Sequence, residues 1–394
     1  MMSRPTTLLF ILYIVLTPLY LLPSGMPQPA DFLVPIGIGI IFLTGGRIAF
    51  PTARARYFLL VTFVFFVWVL AISVVNSLVS GLTDILMASA FGTFNFMLVL
   101  LGFAALQHLD YPDKLIAKAL TVSTFVMFAG LLLNFPGSSS RQTAMFNNPN
   151  QLAYFSILML GGLILAYDRP SLLRLRFAIP AAMLVISNLV AASLTGYAAL
   201  ALLSGAWALK IGARRLFILI FFGLTAALLA PSLLISESQI QVFEIVSNRF
   251  LLLDDKLDGV IAERGYDRIN EFPQYLLLGA GEGGLARFGI EEALELHSTF
   301  GTLLFSYGII GLLLFLSIIW IAARGATLVE LAVLAAPLAY SMTHHGFRFS
   351  TFWVFITIFL MIKEKRTMRS STPILEQPES RPGGRPFITS LENE

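Results

Sequence analysis

The 394-residue sequence is 57% hydrophobic and 12% charged, with a net charge of only +3. Soluble domains are about 45–50% apolar and about 25% charged, so this composition excludes cytosolic enzymes, nucleic-acid binders and disordered scaffolds. The absence of cysteine excludes disulfides, thiolate nucleophiles, Fe–S clusters and cysteine zinc sites, and four histidines leave little room for a histidine metal cage. We therefore expect a polytopic membrane protein without a metal or other cofactor.

Twelve apolar stretches approach the length of about 20 residues that a helix needs to cross a bilayer. The predicted spans are 8–22, 32–50, 57–75, 85–106, 116–133, 152–167, 177–191, 194–209, 216–231, 307–323, 327–342 and 350–362. The stretch 177–209 is either one broken helix or two short helices, and two are favoured because the flanking basic residues then share a face. The expected fold class is all-α with about twelve transmembrane helices.

Basic residues predict the orientation of the chain. With both termini in the cytoplasm, most of the 26 lysines and arginines lie on the inner face, as the positive-inside rule requires. The expected organisation is spans one to nine in 1–231, a long extracytoplasmic loop in 232–298, spans ten to twelve in 299–363, and a disordered cytoplasmic tail in 364–394. Helical periodicity at 240–250 and 267–278 predicts a small helical cap in the loop.

Two arginines lie in short outer connections, where the positive-inside rule predicts few. Arg141 begins a polar turn with Asn148 and Asn150, which either cap the next helix or contact a ligand. Arg348 follows two consecutive histidines, the second of which is His345. Each arginine alone is equally well explained by contact with solvent, but three basic groups within five residues indicate an anion site.

The long outer loop holds a second set of candidates. Arg264 and Arg268 share one face if their segment is helical. The glycine-rich turn that contains Gly279 and Gly281 is either a phosphate-cradling loop, although it lacks a Walker lysine, or a flexible re-entry into the membrane. His297 lies just before the tenth span, where a neutral imidazole can act as a general base near pH 7. Arginines without a metal suit a substrate that carries phosphate.

These features, in this order, resemble the O-antigen ligase and O-antigen polymerase superfamily over residues 141–316. They are Arg141 with Asn148-Pro149-Asn150, Ser193-Leu194-Thr195, Arg264 and Arg268 before Gly279-Ala280-Gly281, and His297 before the Gly-x-x-Gly-Leu that starts at Gly308. One departure is Gly196-Tyr197 after Thr195, where many members carry Ser-Arg. An arginine contact to the lipid diphosphate is therefore missing, or is supplied by Arg141 or Arg348.

The resemblance implies a GT-C-like, metal-independent, inverting glycosyltransferase of the bacterial inner membrane, with a periplasmic active site and a role in surface polysaccharide (O-antigen, lipopolysaccharide or exopolysaccharide) biosynthesis. His297 matches the family's catalytic histidine, and Arg264 or Arg268 matches its loop arginine, with Arg268 preferred. The residues expected to bind the diphosphate or glycan are Arg141, Asn148, Asn150, Arg348, His345, Gly279 and Gly281.

The implied donor is an undecaprenyl-diphosphate-linked oligosaccharide. The acceptor is either another lipid-linked repeat, which would make the protein a polymerase (the preferred alternative), or lipid A core or protein, which would make it a ligase. Membrane lipids and a chain-length regulator are the further partners, and no nucleic acid is expected. A lipid-linked glycan transporter or flippase remains the alternative from a different class.

Overall fold

The computed structural model describes residues 3–23, 25–46, 48, 50, 52–134, 141–167, 174–212, 265–288 and 296–371. In chain order the helices are α1 (Ser3–Leu16), α2 (Leu33–Leu43), α3 (Ala53–Ser80), α4 (Asp84–Leu106), α5 (Pro112–Leu133), α6 (Pro149–Ala166), α7 (Leu175–Val190), α8 (Leu194–Ile211), α9 (Asp267–Glu271), α10 (Thr299–Ala323), α11 (Leu328–Ser341) and α12 (Ser350–Ser371), with 3-10 turns at Pro29–Phe32, Pro273–Tyr275 and Leu285–Phe288.

The described part of the chain is helical and contains no strand. Within the described residues, six helices, α3, α4, α5, α6, α8 and α10, are long and apolar enough to cross a membrane. The expectation of an all-α, multi-pass membrane protein is confirmed at this level. The predicted ninth span, 216–231, and the predicted cap helix at 240–250 lie outside the described residues.

The stretch 177–209 forms two helices, as predicted. The break lies at Ala191 and Ala192, and Ala192 has a left-handed φ of 47° that ends α7. Ser193 then caps α8, because its side chain accepts a hydrogen bond from the Gly196 amide. The Ser193-Leu194-Thr195 motif is therefore the start of a helix rather than the middle of a span.

Helices α6 and α12 form the centre of the bundle. Every residue of α6 from Leu152 to Ala166 is buried, and α12 is buried from Thr351 to Glu364. A helix that is apolar on all faces has to be surrounded by other helices. Accordingly α12 packs against α3, α4, α5, α6 and α10.

One end of the bundle is closed by basic side chains that donate to the last carbonyl groups of neighbouring helices. These carbonyls have no partner within their own helix, so the contacts satisfy them. The pairs are Lys363 with Ala322 and Arg324 after α10, Lys365 with Gln107 after α4, Arg366 with Leu165 in α6, and Lys210 with Ile164 and Tyr167 at the end of α6. All four basic residues were predicted for the inner face.

Helix α12 continues to Ser371, eight residues into the predicted tail, which differs from the expectation. The physical reason is that the charged residues at this point are not in solvent. Glu364 is buried and forms an ion pair with Arg54 at 2.9 Å, while the side chain of Lys363 extends to the end of α10. Hydropathy alone registers these residues as the end of a span.

At the opposite end, α10 is broken at Gly308 (φ 69°) and the glycine turn fits into the break. The Ala280 amide donates to Phe305 O at 2.9 Å and the Gly281 amide to Ser306 O at 2.8 Å. A Cβ on Gly308 would lie 2.3 Å from Leu277 O, so only glycine fits there. The predicted tenth span, 307–323, starts too late, because α10 begins at Thr299 and continues through the break.

The predicted helical stretch 267–278 is also shorter than expected. Helix α9 ends at Glu271, and Pro273 begins a 3-10 turn. Proline has no amide hydrogen and its ring clashes with the preceding turn, so a regular helix does not continue through it. The rest of the segment forms the approach to the glycine turn.

Candidate functional site

A cavity of about 540 Å³ lies at the end of the bundle opposite the basic caps. Its walls come from the α1–α2 connection, the α4 segment around Asn95, the start of α6, the residue before α10 and the α11–α12 connection. The volume is within the range of sites for small molecules, about 300–1,000 Å³. The residues that line it are Tyr20, Gly25, Met26, Gln28, Asp31, Phe91, Phe94, Asn95, Asn148, Asn150, Gln151, Tyr154, His297, Tyr340, His344, His345, Gly346, Arg348, Phe349 and Ser350.

Five predicted site residues line this cavity: His297, His345, Arg348, Asn148 and Asn150. They come from three parts of the chain that are about 50 to 200 residues apart in sequence. His297 is exposed, whereas His345 and Arg348 are partly buried. The structure thus brings together the candidates from the outer turns and the histidine that precedes α10.

Arg141 supports the cavity wall from behind and does not line it. Its Nη2 donates to Asn150 Oδ1 at 2.7 Å, and its Nε donates to Ala191 O at 2.9 Å. Asn148 caps α6 by accepting a hydrogen bond from the Gln151 amide at 2.9 Å. The capping interpretation therefore applies to Asn148, and Arg141 fixes the position of the Asn150 side chain.

The two histidine-bearing segments are held together by main-chain contacts. The Thr299 amide donates to His344 O at 3.1 Å, and the Thr299 hydroxyl accepts a hydrogen bond from the Gly346 amide at 2.8 Å. The His344 ring stacks on Tyr340 with centroids 4.4 Å apart. These contacts place His297 and the α11–α12 connection on the same cavity.

Thr195, in the Ser193-Leu194-Thr195 motif at the start of α8, also lies next to this segment. Its hydroxyl is 2.7 Å from the Thr343 hydroxyl, and Thr343 contacts His344 Nδ1 at 2.9 Å. The start of α8 therefore supports the α11–α12 connection. The Ser193-Leu194-Thr195 motif is near the site through its threonine.

A buried carboxylate, Glu282, joins the glycine turn to the α11–α12 connection. Its Oε1 lies 2.7 Å from His345 Nε2 and forms an ion pair with Arg348, and its Oε2 accepts a hydrogen bond from the Tyr307 hydroxyl at 2.6 Å. Burial acts to raise the pKa of Glu282, but Arg348, His345 and Tyr307 outweigh burial and hold this pKa well below its usual range. Glu282 is therefore ionised at neutral pH.

Arg268 lies beside this carboxylate rather than on the large cavity. It is only 3% exposed and lines a small adjoining pocket together with Gly281, Glu282, His345 and Arg348. Arg268 is the second residue of α9, which begins at Asp267. Helix α9 therefore does not include Arg264 and does not itself place the two arginines on one face. Arg264 lies outside the described residues.

The glycine turn does not form a phosphate cradle. The Ala280 and Gly281 amides donate to α10 carbonyls, and the Gly279 amide donates to Tyr275 O at 2.8 Å, so these donors are already used. Gly279 lies against α10, where a Cβ would be 2.4 Å from Ser306 O, and it does not line the cavity. Gly281 also lines the small adjoining pocket, and the ligand-binding role of Gly279 and Gly281 stays a prediction.

Sequence reasoning missed Glu282, Tyr307 and Asp31 as site residues. Glu282 was visible only as one acid among many in the outer loop, and its partners lie 25 to 66 residues further along the chain. The signal in the sequence was that Glu282 lies between Gly281 and Gly283. Glycines allow the backbone to pack closely, so a carboxylate between them can be carried into a packed region. The described residues contain no cluster of three or more His, Asp or Glu that could hold a metal ion.

Comparison with known proteins adds no assignment to this geometry. A search against protein-family models finds no matching family, and a search of curated proteins finds no match.

Proposed function

We propose that the protein is a membrane glycosyltransferase that moves a glycan from a polyprenyl diphosphate carrier to a sugar hydroxyl at the outer face of the membrane. The observation that carries the proposal is the convergence of His297, His345 and Arg348 on one cavity at one end of a helix bundle. Basic groups at this level suit an anionic substrate whose lipid tail lies in the bilayer.

The phosphate-binding part of the cavity is Arg348 together with the neighbouring histidines. A guanidinium has several N–H donors in a planar fork, a geometry that matches both the Glu282 carboxylate and phosphate oxygens. The side chain is 28% exposed, in keeping with contact to both the carboxylate and the cavity. Stabilising the charge that develops on the departing diphosphate is the main catalytic requirement of this reaction.

His297 is the proposed general base. It is exposed and lines the cavity, so a sugar hydroxyl can reach it. The acceptor oxygen would attack the anomeric carbon and form the new glycosidic bond, while the bond from that carbon to the diphosphate oxygen breaks. The hydroxyl proton would pass to the imidazole, and direct displacement would invert the anomeric configuration.

The proposed topology has about twelve spans in a GT-C-like arrangement in the inner membrane, both termini in the cytoplasm and the cavity facing the periplasm. The lack of cysteine in the sequence makes a clean test available. Gln274→Cys, at an exposed position near the cavity end, should react with a membrane-impermeant maleimide added to spheroplasts. Ser370→Cys, at the basic end, should react only after permeabilisation, and the reverse pattern would overturn the orientation.

Incubation of the purified protein with lipid-linked glycan and no energy source tests the reaction. Formation of a longer lipid-linked chain would indicate a polymerase, and transfer to lipid A core or protein would indicate a ligase. In proteoliposomes, movement of the lipid across the bilayer without a new glycosidic bond would contradict the proposal in favour of a transporter. Single repeats accumulating in a deletion strain would favour the polymerase, which is preferred here.

A further inference from the structure

Asn95 is a buried amide in the middle of a helix that is apolar enough to cross a membrane. It is 2% exposed and lines the cavity, and its Oδ1 has no hydrogen-bond partner among the described residues. Its Nδ2 donates only a long hydrogen bond, 3.4 Å, to Arg348 O. A buried polar atom without a partner is costly, and polar residues inside spanning helices usually have a functional reason.

On the side of the cavity formed by α4 and the α1–α2 connection, the lining residues are neutral or acidic. The side that holds Arg348 is basic. Phe91 and Phe94 lie on the same face of α4 and also line the cavity. Asp31, from the α1–α2 connection, is the one carboxylate among the described residues that line it. An acid at this position disfavours phosphate and leaves an acceptor for hydroxyl groups.

Gln28 also lines the cavity, but its amide group is already used. Its Oε1 accepts hydrogen bonds from the Leu21 and Leu22 amides, and its Nε2 donates to Leu22 O and Met26 O. Gln28 therefore shapes the α1–α2 connection. One oxygen of the Asp31 carboxylate, Oδ2, accepts a hydrogen bond from the Gln28 main-chain amide at 2.7 Å, so the groups that can meet a ligand on this side include the Asn95 carbonyl and the other Asp31 oxygen.

We propose that Asn95 and Asp31 form a subsite for the hydroxyl groups of the sugar that is joined directly to the diphosphate. This inference rests on the proposed function. Hydroxyl groups both donate and accept hydrogen bonds, so an amide and a carboxylate can pair with them, while the apolar face of a sugar ring can pack on Phe91 or Phe94. The contact of Asn95 with the main-chain oxygen of Arg348 places this subsite beside the residue that carries the proposed phosphate-binding guanidinium.

The test compares two lipid probes that differ only in the sugar: undecaprenyl diphosphate, and lipid-linked glycan extracted from cells that lack this protein. Asn95→Leu removes the polar atoms at similar volume. We expect it to weaken binding of the lipid-linked glycan about five- to tenfold, the effect of one net hydrogen bond, and to leave undecaprenyl diphosphate binding unchanged in native mass spectrometry.

Asn188→Leu is the matched control. Asn188 is 1% exposed, its Nδ2 donates to Ala153 O at 3.2 Å and its Oδ1 has no partner among the described residues, but it does not line the cavity. It should change binding of neither probe. If Asn95→Leu does not accumulate in membranes, Asn95→Ala tests the same loss without added bulk.

Equal weakening of both probes, or no weakening of either, by the Asn95 variants would overturn the subsite. A wild-type protein that binds both probes but forms no glycosidic bond would contradict the proposed function instead. In that case a glycan-specific loss in Asn95→Leu would still support a sugar-binding role for this part of the cavity.

Discussion

Glu282→Ala should destabilise the protein by about 3 kcal/mol and stop glycan transfer. The substitution leaves Arg348 and His345 without their buried anionic partner and removes the acceptor of the Tyr307 hydroxyl. Breaking a buried ion pair by removing one partner costs about 3–5 kcal/mol. The lower end applies here because the Arg348 side chain is 28% exposed and stays partly hydrated. Glu282→Gln keeps a neutral acceptor, so we expect about 1–2 kcal/mol.

The matched control is Glu364→Ala at the other end of the bundle. Glu364 pairs with Arg54, and the side-chain exposures, 4% and 30%, are close to the 5% and 28% of the Glu282–Arg348 pair. Both alanine variants should lower the thermal unfolding midpoint, measured in detergent by fluorescence-detected size-exclusion chromatography. Only Glu282→Ala should lose transfer. An unchanged midpoint for Glu282→Ala, or equal loss of transfer in both variants, would refute the role assigned to Glu282.

The pH dependence of stability gives a further check on Glu282. Because its folded-state pKa is lowered, its stabilising contribution is complete above the unfolded-state pKa of about 4.3 and is lost as the pH falls towards the folded value. The difference in unfolding midpoint between wild type and Glu282→Gln should therefore shrink as the pH falls below about 4.3. A difference that grows below pH 5 would contradict this assignment.

Four further substitutions test the site and the fold. His297→Ala should abolish transfer while the protein still inserts into membranes, and near-normal surface glycan in a cell-based complementation assay would contradict its role as base. Arg268→Lys should reduce transfer strongly, because an ammonium cannot replace a planar fork beside Glu282, and unchanged turnover would move the role to Arg264. Gly308→Ala should sharply lower the yield of folded protein, whereas Gly205→Ala, in open space on α8, should be neutral or stabilise by about 0.5–1 kcal/mol in the same thermal assay.

The helices were largely predictable from the sequence, because hydropathy reports directly which stretches prefer lipid. The two helices on either side of Ser193 also followed from local residues. The break in α10 was not predictable, since the partner of Gly308 is the backbone at Leu277, in a segment that was predicted as a helix of the outer cap. The extent of α12 was missed for a related reason, because the partners of Lys363 and Glu364 are on other helices.

The candidate site was predictable in part. His297, His345 and Arg348 stood out because basic residues are rare in short outer connections and at the ends of spans. Glu282 did not stand out, because an acid in an acidic loop carries no local signal until its partners are known. Asn95 was visible as a polar residue in a span, but its connection with Arg348 depends on how α4 packs beside α12.

The pairing of the glycine turn with the break in α10 makes these two parts one mechanical unit. Tyr307 lies at the break and contacts Glu282. Glu282 also pairs with Arg348 and His345, so a ligand that displaces either side chain should alter the contact of Glu282 with α10. The indole of Trp68 donates to Tyr307 O at 2.8 Å, which places a native fluorophore directly at this joint. Loading of the cavity should therefore change the tryptophan emission of the wild type but not that of Trp68→Phe, without any label attached to the protein.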